Sequence, residues 1–203
     1  MTDTKQKKLT FTSALSEVGR IIASIFTMKR VQMFAFLSAI IISSLFFIYA
    51  LGFLTNWALG EWLTDYFAEA QRVNHILFTW TLYTLVAVAV NIFLNSHSNN
   101  KLFMINFVVA LISIVLMVIT GYQTLKLVIP LKTMYLEQNE AIWAIVHALN
   151  DTELSTKTFD IGVKLAYLSF IDAGFLMMVL VLKFVLQLKS AKAKRQRILE
   201  ATR

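Results

Sequence analysis

The sequence predicts an all-α integral membrane protein. Four transmembrane helices would form an antiparallel bundle, with an N-terminal interfacial amphipathic helix and a small helical outer cap. Three observations lead there. Of 203 residues, 58% are hydrophobic and 15% charged, against about 45–50% and about 25% in an ordinary soluble chain. The mean hydropathy is +0.66, so too little polar surface is available to cover a globule in water. The apolar residues gather into four long runs, and the basic residues fall mainly on one side of them. The same composition excludes a disordered chain. With no cysteine in the chain, a disulfide scaffold, a thiolate metal site, disulfide exchange and a cysteine-ligated iron–sulfur cluster are excluded as well.

Residues 1–30 form a cytoplasmic amphipathic segment. Phe11, Leu15, Val18, Ile22 and Ile25 recur at helical spacing, with Ser13, Glu17, Arg20 and Ser24 on the other side. Such a helix lies in the membrane interface. The first span is 31–54, too long for the roughly 7–15-residue core of a signal peptide. An outer loop follows at 55–75, where Trp57, Trp62, Tyr66 and Phe67 stand among Glu61, Asp65 and Glu69. Trp and Tyr suit the interface, being apolar at one end and hydrogen-bonding at the other. Span two is 76–94, and the cytoplasmic loop 95–101 is a short polar connection. Span three is 102–124. An outer helical loop fills 125–164, where Pro130 is expected to end or kink the rising helix and Tyr135 to Leu149 reads as a helix. Span four is 165–188, and a basic cytoplasmic tail occupies 189–203. Each run reaches the roughly 20 residues that cross a bilayer core.

Direction follows from lysine and arginine, which gather in the cytoplasmic loops of membrane proteins. One face of the four runs holds 13 of them and the other 5. The face with 13 includes both ends of the chain, so both termini are expected in the cytoplasm. The cysteine-free composition suits a bacterial cytoplasmic (inner) membrane. The positive balance is thus a topology signal, and nucleic acid is not an expected partner. Membrane lipids are expected partners, together with other membrane proteins or further copies of the chain. The tail residues Lys189, Lys192, Lys194, Arg195 and Arg197 are the candidates for docking on anionic lipid or on a partner.

Polar residues inside the spans keep a helical period. Span three carries Asn106, Ala110, Ser113, Met117, Thr120 and Thr124 at steps of four and three. Span two carries Thr81, Thr84 and Asn91 on one line with Asn95. Ala35, Ala39 and Ser43 make a small-residue series in span one. In span four Ser169, Asp172, Leu176, Lys183 and Gln187 share a side. Small and weakly polar residues let helices approach and hydrogen-bond, so each stripe should face protein and the Leu, Ile, Val and Phe residues lipid. Asp172 stands out, because an acid within a span should face protein or water. Counted from Leu165, its depth matches Ser44, Thr81, Thr84 and Thr120. Lys183 lies close enough to the inner boundary to snorkel.

No catalytic constellation, cofactor site or metal site emerges. His75, His97 and His147 lie at an edge or in loops, which does not suit a haem within the bundle. Phosphate loops, metalloprotease signatures and nucleophile elbows are missing. The expectation is a non-enzymatic membrane subunit that binds, scaffolds or stabilises other membrane proteins in a larger assembly. The alternative is a small channel or proton- or cation-coupled transporter using Asp172 and the polar stripes. A third reading is a membrane enzyme acting on lipid through outer acids such as Glu137 or Asp151.

Overall fold

A computed structural model describes residues 28–57, 64–96, 103–137 and 156–201. The described residues form four α-helices and no strand: α1 Met28–Trp57, α2 Thr64–Ser96, α3 Phe103–Glu137 and α4 Lys157–Ala201. All four are long and apolar enough to cross a membrane. They contain 30, 33, 35 and 45 residues, and at about 1.5 Å per residue even α1 exceeds a bilayer core of about 30 Å. The amphipathic segment before Met28, the connection 97–101 and the outer helix beyond Glu137 lie outside the described residues.

The helices extend past the apolar runs. Residues 64–75, assigned to the outer loop because they precede the apolar run, are the opening turns of α2. Residues 157–164 likewise begin α4. Here an amphipathic pattern replaces a uniformly apolar one, with Phe159 buried and Lys157 and Lys164 exposed. Pro130 does not end α3, which continues to Glu137. A proline removes one backbone donor, freeing the carbonyl four residues back. Pro130 is exposed, so the side of the helix that loses the bond faces outward.

Each helix packs on two neighbours, α1 and α3 both lying against α2 and α4. At one end the core is built by Ala50, Tyr66, Val73, Leu77, Val128, Leu131, Tyr135 and Phe159. The Tyr135 ring lies 5.5 Å from Phe159 and 6.2 Å from Tyr66, centre to centre. Lys132 Nζ donates to Asp160 Oδ1 at 2.7 Å, tying α3 to the first turn of α4. A second core joins Ala35, Ala39, Val88, Ala110, Ile114, Met117, Ala173 and Leu176. Phe46, Leu165 and Ala166 form a smaller cluster. Along α1 the buried positions are Ala35, Ala39, Ser43, Phe46 and Ala50, mostly small residues that allow close approach. Outward, all four helices present large apolar side chains, among them Ile41, Ile48, Val86, Phe93, Val108, Ile112, Ile171 and Val181. Such a shell would aggregate in water and fits a multi-pass membrane protein, whose outer side chains face lipid tails.

Close contact between α1 and α4 depends on Gly162. A β-carbon there would collide with the Tyr49 hydroxyl and lie 2.7 Å from its ring carbon Cζ. Gly121 of α3 is tight too, its added β-carbon standing 3.0 Å from the Phe170 ring and 3.2 Å from the Ala166 carbonyl.

Candidate functional site: the polar seam between the helices

The polar stripes meet inside the bundle. Thr81, Thr84 and Asn91 of α2 are buried, as are Asn106, Ser113, Thr120 and Thr124 of α3 and Ser169 and Asp172 of α4. Helical spacing places them there, because residues three and four apart share one face.

Their hydrogens can be assigned by counting. A threonine hydroxyl has one hydrogen to give. Thr120 Oγ1 donates to the Trp80 carbonyl of α2 at 3.2 Å. Its contact with Thr84 Oγ1, at 2.7 Å, is then one in which Thr84 donates. Ser113 Oγ lies 3.0 Å from the Ala87 carbonyl of α2 and 2.9 Å from the Val109 carbonyl of its own helix. Ser169 Oγ donates to the Met117 carbonyl of α3 at 3.0 Å. Thr81 and Thr124 bond back to Phe78 and Thr120 of their own helices. These hydroxyls are therefore engaged with backbone or with one another. They join α2 to α3 and α3 to α4.

Asp172 is 4% exposed. Its partner is Ser38 of α1, with Oγ and Oδ1 at 2.5 Å. Ser44 and the threonines, expected from depth, do not fill that role. Ser38 Oγ is also 3.0 Å from the Ala35 carbonyl. One hydroxyl hydrogen cannot fully serve both oxygens. Ser38 Oγ is the donor to both, and a carboxyl carrying its own proton would relieve that sharing by donating to Ser38. Asp172 Oδ2 is buried without a hydrogen-bond partner among the described residues. A carboxylate oxygen left so would be costly, whereas a neutral carbonyl oxygen is less so.

A second polar group lies where α2 ends. Gln32 Nε2 of α1 donates to Asn95 Oδ1 at 3.0 Å, and Lys183 Nζ of α4 donates to the same oxygen at 3.2 Å. Lys183 thus reaches across to α2 from well inside α4. Asn95 Nδ2 donates to Asn91 Oδ1 at 2.7 Å and to the Asn91 carbonyl at 3.0 Å. Asn106 Nδ2 makes a long contact of 3.5 Å to the Leu94 carbonyl, and its Oδ1 is buried without a hydrogen-bond partner among the described residues.

Lys189, Lys192, Lys194, Arg195 and Arg197 fall on the continuation of α4 beyond this group, and Lys192 is exposed. Glu137 is exposed at the end of α3. His147 and Asp151 lie outside the described residues, and no cluster of metal-binding side chains forms among the described ones. Sequence periodicity missed Ser38, Gly162, Ala166 and Ala173 as contact residues. The last three, with Ser169, make a small-residue series at steps of four, three and four, a signal present in the sequence.

The chain matches no known protein family, no curated protein and no solved structure. What it does must therefore be argued from its own residues.

Proposed function

We propose that the chain is a non-enzymatic subunit of a larger assembly in a bacterial inner membrane, where it binds, scaffolds or stabilises other membrane proteins. Its four spans run antiparallel, with both termini in the cytoplasm, the amphipathic segment 11–25 in the inner interface and a helical cap outside. The observation that carries this reading is the engagement of the hydroxyls between α2, α3 and α4. Thr84, Ser113, Thr120 and Ser169 bond to neighbouring helices, which is packing chemistry. Work on other molecules then falls to the outer surfaces and the ends.

The test is purification from mild detergent. A protein partner at fixed stoichiometry, lost or weakened when residues 190–203 are deleted, is the expected result. Insertion should survive that deletion. Isolation as a homo-oligomer that conducts ions in proteoliposomes would overturn the proposal and favour the channel or transporter. One observation favours that second reading: among the described residues, Ser43 Oγ, Asn74 Oδ1, Asn106 Oδ1 and Asp172 Oδ2 are buried without a hydrogen-bond partner.

Topology has a separate check. In intact cells, a cysteine replacing Asn150 should label with an impermeant thiol reagent, and one replacing Ser98 should not. The chain has no native cysteine to interfere. The reverse pattern would invert the orientation.

A further inference from the structure

A cleft opens beside Asn95, with about 380 Å³ of unfilled space including its open side. Between its side chains there is room for about one water. Its polar lining is Gln32, Asn95 and Lys183, all half-buried, with the buried Asn106, and the rest is apolar, with Phe36, Phe107, Ala110, Ile114 and Leu176 among it. All four helices contribute. Lys183 brings the formal positive charge to the lining. Asn106 is 2% exposed, and its buried Oδ1 lacks a protein hydrogen-bond partner among the described residues.

From this arrangement we infer that the cleft is a binding site for an anionic phospholipid. Its phosphodiester sits at the mouth, against the Lys183 ammonium and the Gln32 amide. Its acyl chain follows the apolar wall and leaves through the open side. The buried Asn106 oxygen takes a hydrogen from a water held beneath the headgroup. Charge, polarity and shape agree on such a ligand. A small hydrated anion would gain nothing from apolar walls, and a neutral hydrocarbon would leave the polar mouth unsatisfied. Lys192, exposed on α4 beyond Lys183, adds a second positive charge toward the same end of the bundle, which favours anionic lipid. The site stands apart from the proposed subunit role and holds whether or not the chain has protein partners.

Detergent-purified, delipidated protein would be titrated with dioleoyl-phosphatidylglycerol, with dioleoyl-phosphatidylcholine and with inorganic phosphate. Thermal unfolding and native mass spectrometry give the readouts. The expected result is one tightly held phosphatidylglycerol, a clear stabilisation over phosphatidylcholine, and no effect of inorganic phosphate. Lys183→Gln should weaken the preference about fivefold, the weight of one lysine at an anionic surface, and Lys183→Arg should restore it. Neutralising Lys192, Lys194, Arg195 and Arg197 together should leave the single tight lipid in place. Should Lys183→Gln fail to fold, Gln32→Leu at the half-buried mouth reads the same loss. An unchanged lipid preference in whichever of these variants folds would overturn the site. So would loss of the tight lipid only on neutralising the tail, or equal protection by inorganic phosphate.

Discussion

Gly162→Leu is expected to break the association of α1 with α4 and leave little correctly assembled protein. The Tyr49 side chain occupies the space that any β-carbon at position 162 would need. Gly162 and Tyr49 lie in helices that pack directly, so α4 cannot step back without opening that contact. Overpacking by a methylene or so typically costs about 1–3 kcal/mol. A leucine adds far more volume, so its cost should exceed that range. Gly162→Ala should fall within it, because the tyrosine ring can turn aside in part. The check is thermal unfolding and the monodisperse fraction in mild detergent. Tyr49→Ala combined with Gly162→Leu should recover much of the loss, since the double variant removes the obstructing ring. A Gly162→Leu protein as stable as the parent would mean that α1 and α4 do not meet there.

Gly162 also shows where the sequence is hard to read. Hydropathy places the start of span four at Leu165, because Lys157, Asp160 and Lys164 dilute the apolar signal before it. The helix nevertheless begins at Lys157. Its charged residues occupy one side, while Phe159, Gly162 and Ala166 occupy the buried one. A window average cannot see that division, whereas a search for small residues at helical spacing can. The α3 stripe is the opposite case. All six of its residues, from Asn106 to Thr124, are buried, since periodicity within one helix is a local property and is written in the sequence.

Register between helices is not local. Matching depths from the edges of the apolar runs puts Ser44 opposite Asp172, yet the carboxyl meets Ser38. Six residues of helix amount to about 9 Å. What sets the register is packing at distant points, including Tyr49 on Gly162 and the aromatic cluster of Tyr66, Tyr135 and Phe159. None of these contacts can be inferred from the residues around Asp172. The asparagine cluster is similar: Asn91 and Asn95 are visible as neighbours one turn apart, but the arrival of Gln32 and Lys183 at the same oxygen depends on the register of three helices relative to one another.

Ser38→Ala is expected to cost more than Asp172→Asn, the reverse of the order that charge alone suggests. With a protonated carboxyl, Asp172 donates to Ser38 and Ser38 donates to the Ala35 carbonyl. An asparagine amide can make the same donation, and its oxygen replaces one that already has no hydrogen-bond partner among the described residues. The change should therefore be mild, close to the average of about 0.6 kcal/mol for an interhelical hydrogen bond in a membrane. Removing the serine hydroxyl instead leaves a buried acid hydrogen without an acceptor, a loss of about 1–3 kcal/mol. Asp172→Asn placed on the Ser38→Ala background should gain nothing, because the amide inherits the same missing acceptor. Unfolding of the single and double variants in detergent supplies the cycle. If Asp172 were an ionised cation or proton carrier, the Asn variant would fold and assemble while ion flux in proteoliposomes vanished. That outcome would overturn the subunit proposal. Normal assembly and an unchanged partner in the Asn variant are the results expected of a carboxyl that holds α4 to α1.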